Sequence, residues 1–259
     1  EYLSLFSQED SNIQFYYTSA AVKDASGVLD EGFYTRLPIL YGSGSNWSFA
    51  DNSCLGWSFG YTNHFAGKKI TCVGDSITAG SGTTKTYWSI LDETLQPESM
   101  TGMGVGGSCV SVTSDYGTGN SPLIRRYTSI PESDIITIYM GTNDYGHETP
   151  MGTINDTEDV SFYGALNVII SGIQKAQPDA KLVWITPTHR YGFGTSKLLG
   201  TAFTYDYLPN GRGYSLNDYV DAIKEVCDKY DIPVIDLFTL SGMDPSLSEV
   251  RTQYMPDGL

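Results

Sequence analysis

Three short stretches carry residues able to support acyl-transfer chemistry, and each follows an apolar run. In Ile70-Thr71-Cys72-Val73-Gly74-Asp75-Ser76-Ile77-Thr78 the apolar segment ends in Gly-Asp-Ser and continues toward a helical pattern. A serine at a strand-to-helix turn presents its hydroxyl at the carboxyl edge of a parallel sheet, where open α/β folds bind ligands. It also lies near a helix N-terminus that favours developing negative charge. Asp75 or Ser76 would serve equally as a helix cap, so Gly-Asp-Ser alone does not decide between nucleophile and cap. The run Gly102-Met103-Gly104-Val105-Gly106-Gly107-Ser108 can bring backbone N–H groups close to a ligand. Acyl transfer needs such donors aimed at the tetrahedral oxyanion, although a tight turn after a strand uses glycine too. Ile135-Ile136-Thr137-Ile138-Tyr139-Met140-Gly141-Thr142-Asn143-Asp144 reads as a buried strand ending in Gly-Thr-Asn-Asp. The Asn143 carboxamide could donate a second oxyanion hydrogen bond, and Asn-Asp is also a common turn signal.

Such residues converge only if strands deliver them to one sheet edge. From Lys68 onward short apolar runs alternate with amphipathic stretches, the pattern of a parallel sheet covered on both faces. Strands are predicted near 69–74, 102–105, 134–140, 181–187 and 232–237, and helices over roughly 84–96, 160–177 and 216–230. The last helix places Tyr219, Val220, Ile223 and Val226 at helical spacing. Residues 1 to about 66 differ, with short runs such as Ile13–Tyr17, Phe33–Leu37 and Leu55–Tyr61 that read as β-strands. The turn residues Gly42-Ser43-Gly44-Ser45-Asn46 lie between such runs, and a small, incomplete β-sandwich is the expected architecture.

Taken in order, each at the carboxyl end of a predicted strand, the three stretches resemble blocks I, II and III of the SGNH (GDSL-like) hydrolases. A fourth stretch, Tyr254-Met255-Pro256-Asp257-Gly258-Leu259, resembles the start of that family's Asp-x-x-His block, whose histidine would be the next residue. The resemblance spans about Lys68 to Leu259 and includes Gln177-Pro178-Asp179-Ala180 and Thr186-Pro187-Thr188-His189-Arg190, a pattern similar to polysaccharide-directed members. It implies a three-layer, flavodoxin-like α/β domain over 67–259 with a central parallel sheet of about five strands, preceded by the β-rich region 1–66. It also implies Ser76 as nucleophile, the Ser76 amide, Gly107 and Asn143 as oxyanion-hole donors, and Asp257 as the acid that orients the histidine. Gly107 is chosen over Gly106 because the family's glycine follows the strand and one small residue. No metal or organic cofactor is implied.

The three histidines present can be weighed as substitute bases, since a base must reach the nucleophile to about 3 Å and is usually held by a carboxylate. His64 precedes the predicted catalytic domain. His147 and His189 follow the third and fourth strands, as candidates for the substrate rim, and neither stands where the family places its base. The expectation is therefore that this polypeptide is severely impaired unless a histidine follows Leu259, and that it is part of a longer protein.

With 15 basic and 30 acidic residues the net charge is −15, so phosphate backbones and anionic lipids are repelled and nucleic acid is a poor candidate partner. No run approaches the roughly 18 apolar residues of a membrane span. Cys54, Cys72, Cys109 and Cys227 are widely spaced, as expected of free thiols rather than a zinc or redox motif. The 19 tyrosines, the accessory β-region and the likeness to glycan-acting members favour an O-acetyl ester on a carbohydrate as substrate. A rival reading is a glycan-binding or phage-tail module that keeps the fold without turnover. Both place the protein outside the cell or on a virion, with assembly into a larger multidomain or virion protein as the expected setting.

Overall fold

The computed structural model describes residues 63–112, 121–192, 199–200 and 205–255, together with five strands within residues 1–62. The chain divides into two compact units, Glu1–Thr62 and Asn63–Leu259.

In the first unit, β1 (Tyr2–Gln8), β2 (Asn12–Thr18), β3 (Tyr34–Arg36), β4 (Leu40–Ser43) and β5 (Asn46–Phe49) form one antiparallel sheet. Its order is β1-β2-β4-β5, with β3 also pairing with β2. Ser43 pairs with Asn46, the residues on either side of the Gly44-Ser45 dipeptide. The predicted strand at Leu55–Tyr61 lies outside the described residues.

The second unit is built on a five-stranded parallel sheet of β6 (Lys69–Gly74), β7 (Ser99–Gly104), β8 (Ile135–Tyr139), β9 (Lys181–Ile185) and β10 (Val234–Ile235). The order β7-β6-β8-β9-β10 is that of a flavodoxin-like doubly wound sheet. Its switch point falls between β6 and β8, so the loops after those strands flank one crevice. Val73, Ile136, Ile138 and Trp184 point to one face and join the core made with α5 (Phe162–Ala176) and α6 (Leu216–Lys229). Helix α5 buries Phe162, Ala165, Leu166, Ile169, Ile170 and Ile173, the i, i+3, i+4, i+7 spacing of one helical stripe. Each of the Phe, Leu and Ile side chains contributes roughly 1.5–3 kcal/mol on burial. The opposite face carries Tyr139, whose ring meets Tyr87 of α2 (Tyr87–Leu95) edge-on at 5.9 Å.

Capping explains where these elements begin. Thr86 Oγ1 accepts from Ser89 N at 3.1 Å, so α2 starts at Tyr87 rather than near 84. Ser161 caps α5, and Ser215 with Asp218 forms a reciprocal capping box on α6. Strand β10 is shorter than predicted because Asp236 turns to cap α7 (Leu237–Leu240), accepting from Thr239 N. Four of the unpredicted helices are single turns of four or five residues: α1 (Ser76–Ala79), α3 (Leu123–Arg126), α4 (Thr142–Gly146) and α7. The fifth, α8, spans Ser248–Tyr254. None is long enough to leave a periodic signal. No helix among the described residues is long and apolar enough to cross a membrane.

Candidate active site

Strand β6 ends at Gly74, and the next two residues hold the first functional groups. Asp75 Oδ1 accepts from Ile77 N at 2.9 Å and caps α1, which leaves Ser76 as the first, half-buried residue of that helix. The two readings of Gly-Asp-Ser are thus compatible: Asp75 is the cap and Ser76 is free to be the nucleophile. The helix is one turn long and closes on Gly80 in the left-handed region, so any dipole assistance to Ser76 is that of a single turn. A Cβ at Gly104 would sit 2.0 Å from the Ala79 amide nitrogen, so glycine there lets α1 press against the end of β7. That contact holds the turns after β6 and β7 side by side.

The turn after β7 is closed by Ser108 N donating to Val105 O at 3.1 Å. Gly107 takes φ 70° within it, a left-handed conformation that favours glycine. After β8, α4 begins at Thr142 and carries Asn143, which is only 9% exposed. Asn143 Nδ2 donates to Ser108 O at 3.1 Å and lies 3.4 Å from Asp75 Oδ2. One carboxamide therefore touches the neighbour of Gly107 and the neighbour of Ser76, bringing the three predicted stretches to one point. Asp257 lies outside the described residues.

Two charged residues absent from the predicted site, the half-buried Arg126 and the buried Asp144, brace this arrangement. Arg126, from α3, donates through Nη2 to Gly74 O at 2.6 Å and through Nη1 to Met103 O at 2.9 Å, and approaches Ser108 Oγ at 3.5 Å. Its guanidinium thereby clamps the carboxyl ends of β6 and β7. Burial lowers its pKa to about 10, opposed by the Asp75 carboxylate. Asp144 is fully buried and accepts from Val110 N at 2.8 Å, Ser111 N at 3.3 Å, Ser111 Oγ at 3.2 Å and Thr149 Oγ1 at 3.2 Å. It ties the segment after the glycine run to the residue after Asn143. Burial pushes the Asp144 carboxyl up to about 7 despite those donors. Asp75 rises to about 6, again through burial, against the pull of Ile77 N and of the Arg190 and Arg126 charges. Local sequence marked neither brace, because every one of these partners but Thr149 is more than 15 residues away.

The histidines fall in different places. His64 is exposed in the turn before β6, at the opposite end of that strand from Ser76. His147 is half-buried at the C-cap of α4, its backbone N–H donating to Asn143 O at 2.8 Å. His189 is half-buried and held in place. Its Nδ1 lies 2.8 Å from Asp206 Oδ2, which also accepts from Arg190 N, and its ring stacks on Phe238 with centroids 3.9 Å apart. Asp206 itself is 1% exposed. With strands about 4.8 Å apart, β9 ends roughly 10 Å across the sheet from β6. His189 therefore stands on the flank of the crevice, away from the immediate surroundings of Ser76. Arg190 Nη1 donates to Thr142 O and Oγ1, both at 2.7 Å, joining this loop to the start of α4.

Among the described residues no cluster of three or more His, Cys, Asp or Glu side chains could hold a metal ion. Cys72 and Cys227 are buried free thiols, and Cys109 is buried as well. The groups gathered at the carboxyl edge are a hydroxyl, backbone amides and a carboxamide, a set suited to forming and stabilising a tetrahedral acyl adduct.

No curated protein matches this chain. One solved structure is 32% identical, with a TM-score of 0.66, covering 75% of this chain and 89% of its own. A protein from Lactobacillus plantarum is 29% identical with a TM-score of 0.64, covering 74% of this chain and 86% of its own. A "possible lipase" from Chitinophaga pinensis is 25% identical with a TM-score of 0.54, covering 66% and 68%. The profile of the GDSL-like lipase/acylhydrolase family matches residues 72–258, from the middle of β6 through Asp257. With that match covering most of the chain and the five-stranded parallel sheet beneath it, the chain belongs to the GDSL-like lipase/acylhydrolase family.

Proposed function

We propose that this protein is a serine esterase that removes an ester group, an O-acetyl group on a carbohydrate, through an acyl-enzyme. The observation that carries the reading is the contact of Asn143 Nδ2 with both Ser108 O and Asp75 Oδ2, which gathers the nucleophile turn and both candidate oxyanion donors. Ser76 Oγ attacks the acyl carbon while a base takes its proton. The Ser76 and Gly107 amides and Asn143 stabilise the oxyanion. The sugar oxygen leaves with the proton, and water then hydrolyses the acyl-serine by the reverse route. The base in this proposal is a histidine directly after Leu259, oriented by Asp257. The carbohydrate preference is supported by the tyrosine content and by the β-rich first unit. An extracellular or virion-associated setting follows as part of the same proposal.

The test is release of p-nitrophenol from p-nitrophenyl acetate by this chain and by a form extended with the histidine, each beside its Ser76→Ala variant. Acetate release from acetylated oligosaccharides is measured in parallel. Activity that disappears with Ser76→Ala supports the esterase. If neither form turns over any ester while the chain binds glycan, a binding module that keeps the fold replaces it.

A further inference from the structure

The loop that follows β9 and leads to α6 builds an aromatic surface that the chemistry above does not use. Tyr205 and Tyr207 stack nearly parallel, with centroids 4.9 Å apart and planes 14° from each other, and Tyr207 is 58% exposed. Tyr191 meets Tyr205 edge-on at 5.3 Å, and the Arg251 guanidinium lies 4.4 Å from the Tyr191 ring centroid. Between the two stacked rings the chain turns Asp206 inward to hold His189. Tyr145 Oη contacts the carbonyl oxygens of Leu208 at 3.0 Å and Tyr205 at 3.3 Å. Tyr145 is two residues from Asn143, and Arg251 lies on the helix that leads toward Asp257. The stack is therefore tied by hydrogen bonds and ring contacts to Tyr145 and Arg251.

We propose that Tyr207, backed by Tyr205 and linked through Asp206 to His189, is a sugar-binding subsite that takes a neutral pyranose ring of the ester-bearing carbohydrate. This rests on the esterase reading for its place in catalysis but not for binding itself. A pyranose has an apolar C–H face that covers a flat exposed ring and equatorial hydroxyls at its edge. Tyrosine offers such a face at low entropic cost. With Nδ1 committed to Asp206, His189 Nε2 is the nitrogen left to meet a hydroxyl. An acyl chain needs a concave apolar channel, and a tyrosine ring more than half exposed is not one. Nucleobases also stack on tyrosine, but they come with phosphates that require a basic groove, and this chain carries a net charge of −15.

The test is calorimetric titration of the Ser76→Ala chain with neutral cello-, xylo-, manno- and chito-oligosaccharides, and with single-stranded DNA as a contrasting stacking ligand. At least one oligosaccharide series binds. Tyr207→Ala weakens that binding about tenfold or more, the range of one lost ring-stacking contact. Tyr207→Trp retains it and His189→Ala weakens it. The subsite is overturned if no oligosaccharide binds, if binding is indifferent to Tyr207→Ala, or if DNA is the ligand whose binding that substitution removes. Oligosaccharide binding that depends on Tyr207, in a protein whose Ser76 form cleaves no ester even when extended with the histidine, would sink the esterase reading and leave the subsite standing.

Discussion

Asn143 Nδ2 lies 3.4 Å from Asp75 Oδ2, so the candidate oxyanion donor is oriented by the residue that precedes the candidate nucleophile. The same nitrogen donates to Ser108 O at 3.1 Å, and both of its hydrogens are engaged in the ligand-free site. An oxyanion must displace one of these bonds, and the longer one to Asp75 is the cheaper to exchange.

Asn143→Ala should therefore lower kcat by about 10²–10³-fold, the scale of one lost oxyanion donor, with KM changed by no more than about threefold. Asp75→Asn keeps an oxygen to cap Ile77 but can turn an amide N–H toward Asn143. Its kcat should fall while thermal stability changes little. Steady-state kinetics on p-nitrophenyl acetate, paired with melting curves, read both outcomes. A wild-type kcat in Asn143→Ala would remove Asn143 from the oxyanion hole.

The adjacent glycines should behave differently. Gly107 sits at φ 70°, where a Cβ costs roughly 1–2 kcal/mol, while a Cβ at Gly106 meets nothing within 4 Å. Gly107→Ala is expected to lower Tm by about 2–8 °C and to reduce kcat as the turn amide shifts. Gly106→Ala should leave the melting temperature within about 2 °C of wild type. The reverse ranking would move the donor assignment to Gly106.

Arg126 is expected to act through position, since its contacts are to Gly74 O, Met103 O and Ser108 Oγ. Arg126→Met leaves buried acceptors without their guanidinium partner, at roughly 1–3 kcal/mol each. It also removes a positive charge that favours the Asp75 carboxylate. Lysine cannot reproduce the fork, so Arg126→Lys should recover only part of the stability. A positioning role predicts that affinity for a boronic acid transition-state mimic falls more than KM rises. Equal changes in both would reduce Arg126 to a structural brace.

Asp144, pushed up to about 7 by burial, gives a pH signature. Its folded pKa lies above the ordinary carboxylate value, so the folded state holds the extra proton between roughly pH 4 and 7. The stability from that proton is complete below about pH 4 and is lost as pH rises through about 7, at no more than about 1.4 kcal/mol per pH unit. Asp144→Asn should be less stable than wild type, because its amide N–H groups meet the Val110 and Ser111 donors. The deficit should shrink between pH 5 and pH 8. A deficit that stays constant over that range would show that Asp144 is already ionised at pH 5.

The alternation of apolar runs and amphipathic stretches, a local property, was enough to locate β6, α5 and α6 and to imply a parallel sheet. Ser76, Gly107 and Asn143 were legible because each stands at the end of a strand, where a short glycine or Asn-Asp signal marks a change of direction. What was not legible depends on groups distant in sequence. Arg126 reaches Gly74 across 52 residues, Asp144 reaches Val110 across 34, and His189 becomes a held side chain only because Asp206 folds back onto it. Periodicity reports which face of an element is buried. The depth of a charge, and the partner that satisfies it, are fixed only when the sheet order β7-β6-β8-β9-β10 brings separate loops to one edge.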